Sequence, residues 1–137
     1  MPVKQLNPAE VYDASAFGMS QGVVDLGSGL VFLSGQVAWG LDHEVVGKTH
    51  AEQTKKALEN LSLVLASAGA SARDVLSVRV YMRGEVADHI ESCVPLLASY
   101  FGETRPALTG LGVASLATPD TLIEIEVVAR VPATKTA

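Results

Sequence analysis

A single cysteine, Cys93, occurs in the 137 residues, so no disulfide can close within the chain and a reducing compartment is its natural setting. The plain reading of that residue is a buried structural thiol. Aromatic side chains are scarce at 5 %, although 48 % of the residues are hydrophobic, so the core has to be assembled from Val, Leu, Ile and Ala. Positive charge is scarce too. Lys and Arg number 10 against 15 Asp and Glu, a net charge of −5, and no basic run exceeds Lys55-Lys56. Nucleic acid is disfavoured as a partner, because phosphate binding needs a concentrated cationic surface. No stretch approaches the roughly 20 apolar residues of a membrane span, and MPVKQLNPAE contains no apolar run of the signal-peptide kind. The expectation is a soluble, cytoplasmic protein with no membrane partner. His43, His50 and His89 lack metal-ligand spacing, so no metal site is expected. No phosphate loop, dinucleotide fingerprint or G-x-S-x-G motif occurs, which leaves nucleotide, nicotinamide and serine-hydrolase chemistry without support.

The length fits one domain over residues 1–137. Residues 1–15 are polar and broken by Pro2 and Pro8, which suggests an extended arm outside the core, and 132–137 read as a tail. Met19–Leu26 and Leu30–Val37 are β-like runs flanking Gly27-Ser28-Gly29, a hairpin loop rich in residues that reach positive φ. Trp39–Gly47 reads as a loop with a short strand at most. Thr49-x-x-Glu52 has capping-box spacing, so a helix is expected to start there, with Leu58, Leu61, Leu65 and Ala68 on its inner face and Glu52/Lys56 as a solvent-side pair. Gly69 is placed to end it. Val75–Arg83 alternates, with Leu76, Val78, Val80 and Met82 on one side. Ile90, Val94, Leu97 and Phe101 imply a second helix, kinked or broken near Pro95. Two strands, about 107–113 and 121–131, close the chain. The order ββ(β)αβαββ describes an α+β domain with two helices on one face of a mostly antiparallel sheet.

The final strand carries a paired signal. Ile123, Ile125, Val127, Ala129 and Val131 alternate with Leu122, Glu124, Glu126, Val128 and Arg130, so two carboxylates share one face. That face, with Tyr81 and Arg79 from the neighbouring pattern, is too apolar to be left wholly wet, which points to an oligomer.

Ser34-Gly35-Gln36, the helical AEQTKKALENL at Ala51–Leu61, the run TRPALTGLGV at Thr104–Val113 and TLIEIEVVARV at Thr121–Val131 resemble the Rid (reactive intermediate deaminase) family, also called YjgF-type proteins. The likeness spans nearly the whole chain. It implies a homotrimer of the YjgF and chorismate-mutase-like kind, three sheets lining a central barrel, and clefts between subunits that take a small-molecule metabolite without a cofactor.

The resemblance also assigns roles. Glu124 matches the carboxylate that holds and activates the attacking water; its residue-level alternative is a cross-strand ion pair with Arg79 or simple solvation. Gly110 matches the position whose main-chain carbonyl contacts that water, and Ser34, Gly35 and Gln36 match the segment bordering the pocket. Ser-Gly-Gln is equally an ordinary strand end. Three matches fail: the family's aromatic before Ser-Gln is Met19, its second-helix asparagine is Val94, and its carboxylate-binding arginine is Leu108. Each change leaves an apolar contact, so the pocket is expected to be greasier, with Trp39 either as a wall or as a structural residue covering the helix. Leu108 lacks the planar charged fork that grips a carboxylate, so the usual 2-imino acids lose their anchor. Arg105 precedes Pro106 and reads as a loop residue, which leaves Arg79 and Arg83 as possible substitutes. Two functions follow: a deaminase-type hydrolase of a small enamine or imine, or a binding or regulatory trimer without turnover.

Overall fold

The computed structural model describes residues 2–133. The strands are β1 (Val3–Leu6), β2 (Gly22–Asp25), β3 (Leu30–Leu33), β4 (Gln36–Val37), β5 (Val75–Arg83), β6 (Ala107–Val113) and β7 (Ile123–Arg130); the helices are α1 (His50–Ser67) and α2 (Val86–Phe101). Together the strands form one sheet in the order β1-β2-β3-β7-β5-β6, with β4 also paired to β7. All pairings are antiparallel except β5 with β6, whose parallel arrangement is made possible by the α2 crossover between them. The architecture is the expected single α+β domain.

The inner face of β7 carries Ile123, Ile125, Val127 and Ala129, each at most 1 % exposed. Against that face α1 packs Leu58, Leu61, Val64 and Leu65, and α2 packs Cys93, Leu97 and Phe101. Full burial of one such aliphatic side chain contributes about 1.5–3 kcal/mol, so this small-residue core suffices without aromatics. The Thr49 hydroxyl accepts from the Glu52 N–H at 3.1 Å and caps α1. At the other end Gly69, at φ +72°, allows a Schellman closure, in which Ala70 N–H bonds Leu65 C=O and Gly69 N–H bonds Ala66 C=O.

Several expectations need correction. The N-terminal arm is not outside the core: Val3–Leu6 pairs with β2, Leu6 is buried between sheet and helix, and Val11, Tyr12 and Ala14 are buried too. Its prolines delimit the strand rather than prevent it. Of the tail, Pro132 and Ala133 are exposed and without regular structure, and 134–137 lie outside the described residues. The Glu52 carboxylate accepts from the Lys48 N–H at 2.7 Å, so Lys56 turns instead to Glu59 at 3.8 Å. A bulge between Val75 and Ser77 shifts the alternation of β5, burying both Val75 and Val78 and turning Leu76 outward. Pro95 does not break α2, while Ile90 and Val94 stand 42 % exposed on its flank. The run 30–37 is interrupted at Ser34-Gly35 into β3 and β4.

Candidate functional site

Glu124 projects from the outer face of the sheet, where its register partners are Val37 on one side and Tyr81 on the other. Its main-chain neighbour across the β3–β4 break is Gly35. A Cβ on Gly35 would come within 2.5 Å of Glu124 Cγ and Cδ, so only glycine leaves room for the carboxylate in this seat.

The two carboxylates of IEIE are not equivalent. Glu126 accepts a hydrogen bond from the Tyr81 hydroxyl at 2.7 Å and faces the Arg79 guanidinium at 3.9 Å. Glu124 forms no ion pair among the described residues, which sets aside the Arg79 alternative. Burial pushes the Glu124 carboxyl up from its ordinary range, and the charge of Glu126 adds to the rise. A carboxylate raised in this way is suited to taking a proton from water.

Around Glu124 lies a second, smaller apolar cluster of Tyr12, Ala14, Val37 and Trp39, with Met19 packed on it. Trp39 is 8 % exposed, donates from Nε1 to Thr121 Oγ1 at 3.0 Å and stands 5.1 Å from the Tyr12 ring. It anchors this cluster and does not cover the helix. Tyr12 is a neighbour the sequence reading missed; burial chiefly, and the Glu124 charge as well, raise its phenol. The apolar pattern Val11, Tyr12 and Ala14 within the arm was the available signal.

Ser34 bonds Ser20 C=O at 2.7 Å and is partly buried beside the cluster. Gln36 does not border a cleft. It faces inward beside Ile125, is 0 % exposed, and donates from Nε2 to Gln21 Oε1 and to Ser34 C=O, both at 3.0 Å. Strand alternation decides this, since Val37 takes the outward position next to Glu124.

The other expected residues lie elsewhere. Leu108 and Gly110 pair with Val78 and Val80, both buried, so they belong to the helix side of β6. Leu108 joins Val94, Leu97, Ala98, Phe101, Gly102, Arg105 and Pro106 around a cavity of about 390 Å³ less than halved to 230 Å³ in size relative to the largest on the surface. Arg105 thus lines a pocket, contrary to its reading as a loop residue, because φ +45° in the turn before Pro106 swings it back over the end of α2. Arg79 is engaged by Glu126 and the Arg83 guanidinium by Pro119 C=O, so neither replaces the missing anchor. One copy of the chain therefore brings Glu124, Gly35, Ser34, Met19 and Trp39 together on one face, and Leu108, Gly110 and Val94 on the other. Edge strand β6 is exposed nearly throughout, with Leu108 at 48 % and Leu111 at 36 %.

The sequence matches the family model described as Endoribonuclease L-PSP over residues 13–131. A RutC family protein of Pyrococcus abyssi is 35 % identical over 100 residues, covering 72 % of this chain and 76 % of the relative. The 3-aminoacrylate deaminase RutC of Acinetobacter baylyi is 36 % identical over 103 residues, 74 % of this chain and 79 % of that protein. A crystal structure described as a putative endoribonuclease of Thermotoga maritima superposes with a TM-score of 0.83 at 31 % identity, covering 93 % of this chain and 96 % of that one. The seat of Glu124, the strand order and these matches agree: the chain belongs to the L-PSP family, the same family known as YjgF or Rid.

Proposed function

We propose that this protein is a cofactor-free hydrolase of the deaminase type, acting on a small enamine or imine in clefts between the subunits of a homotrimer. The observation that carries the reading is the state of Glu124: partly buried, unpaired, raised in pKa, and seated where Gly35 leaves space for it. Its neighbour Glu126, with the same chemistry, is already occupied by Tyr81 and Arg79. The relative named 3-aminoacrylate deaminase supports the reaction class.

In the step proposed, Glu124 accepts a proton from water as the water oxygen bonds the imine carbon and the C=N pair moves to nitrogen. The proton then passes to nitrogen, the C–N bond breaks, and ammonia leaves as the carbonyl forms. The opposed placement of Glu124 and Leu108 in one copy supports a cleft completed by a second copy, whose β6 edge and Gly110 main chain would meet the Glu124 face. Net charge and the lack of a basic surface give no support to a nucleic-acid substrate.

The second reading, a metabolite-binding trimer without turnover, is favoured by one observation: Val94 and Leu108 are apolar where they line the cavity. Ammonia release from freshly generated 3-aminoacrylate or another small enamine, with Glu124→Gln as control, decides between them. Turnover lost in the variant supports the hydrolase; equal rates in wild type, variant and buffer favour the binding protein.

A further inference from the structure

The cavity beside Leu108 has a composition of its own. Val94, Leu97, Ala98 and Phe101 from α2, with Pro106 and Leu108 from the strand entry, enclose 230 Å³ of nearly unbroken apolar wall. At about 30 Å³ per water in the liquid, that is room for roughly seven waters, or a short branched aliphatic or single-ring group. Water gains nothing from such walls, so an apolar occupant is favoured.

One charged group interrupts the wall. Arg105 lines the cavity from a left-handed backbone conformation, φ +45° and ψ +59°, which a long side chain adopts only where its surroundings hold it there. Among the described residues no carboxylate stands within 4.0 Å of its guanidinium. An apolar socket edged by an unpaired planar cation matches a molecule with both features, since guanidinium binds a carboxylate through two parallel hydrogen bonds.

We propose that this socket binds a small organic carboxylate by its apolar end, with the carboxylate paired to Arg105. The inference deepens the hydrolase reading, on which its link to turnover rests: the substrate is a carboxylate bearing a side chain of about four to six carbons, anchored three residues earlier in the chain than Leu108. The socket lies within one copy, so binding itself does not depend on assembly.

The test is calorimetric titration of the full chain with acetate, butanoate, hexanoate and 4-methylpentanoate, and with neutral 4-methylpentan-1-ol. Affinity is expected to tighten about fourfold per methylene up to hexanoate. 4-Methylpentanoate is expected to bind at least tenfold more tightly than the alcohol. Arg105→Gln should erase the preference for the acid and keep alcohol binding, whereas Ala98→Leu, which fills the socket, should weaken both. Equal wild-type affinity for acid and alcohol, or no gain with chain length, overturns the proposal without any variant. Glu124→Gln should lose turnover yet bind 4-methylpentanoate as wild type does. Turnover without carboxylate binding therefore overturns this inference alone, and binding without turnover overturns only the hydrolase reading.

Discussion

Gly35 and Glu124 share a space that no other residue pair at these positions could fill: a Cβ on Gly35 would stand 2.5 Å from both Cγ and Cδ of the glutamate. The carboxylate thus lies against main chain, partly withdrawn from water, and its raised pKa follows from that seat. A strand break, a missing side chain and a general-base candidate are one feature.

Gly35→Ala is accordingly expected to act on chemistry more than on folding. The glutamate must rotate away, while the backbone at position 35 needs no positive φ. Turnover should fall to near that of Glu124→Gln, with a stability loss of about 1–3 kcal/mol by denaturant titration. An alanine variant with wild-type turnover would remove the seat from the argument.

Glu124 also sets a pH signature. Its folded pKa lies above the unfolded one, so between the two the native state holds more protons and stability falls as pH rises through that interval. Above it the loss persists. Glu124→Gln is expected to melt higher than wild type at pH 7, with the difference vanishing below about pH 4. Turnover should rise with pH through the same raised window, as the basic form appears. A glutamine variant less stable at pH 7 contradicts the assignment.

Leu108→Arg should convert the preference from apolar to small polar substrates. The new guanidinium fills the socket and offers the bidentate contact that the native chain lacks at this position, a kind worth about 2–5 kcal/mol at a buried site, or roughly 30- to several-thousand-fold. Activity on the 2-imino acids of serine or threonine is expected to be low in the wild type and at least tenfold higher in the variant, and Glu124→Gln added to it should abolish the gain. The mechanism requires both groups at once. A folded variant with no gain shifts the balance to the binding protein.

Assembly can be tested at β6. Leu111 pairs with Tyr81 on the outer face and is 36 % exposed on an edge strand with no partner beyond it in one copy. A homotrimer is expected by light scattering at micromolar concentration, and Leu111→Glu, which would bury a charge at the contact, should give monomers and lose turnover with it. A wild-type monomer removes the proposed clefts.

Periodicity carried most of the fold. The inward residues of β7, the Thr49 cap, the Gly69 stop and the Gly27-Ser28-Gly29 hairpin are local rules of alternation, capping and turn chemistry, and each holds in the structure. Their reach is a few residues, so they could not reveal that Val3–Leu6 finds β2, or that a bulge re-aims Leu76. The site divides in the same way. Glu124 stood out as a residue on the less apolar face of a strand, but its separation from Glu126 in state depends on Tyr81 and Arg79, forty-odd positions earlier, and on Gly35 across a strand break. Gln36 moved inward, and Arg105 moved into a pocket, because strand pairing and one left-handed turn set side-chain direction. Sequence determined which residues are apolar, which are charged and what period they follow; tertiary structure alone decided which of them meet, because contacts between distant segments are made by sheet register and backbone direction, and neither is encoded in any single stretch of the chain.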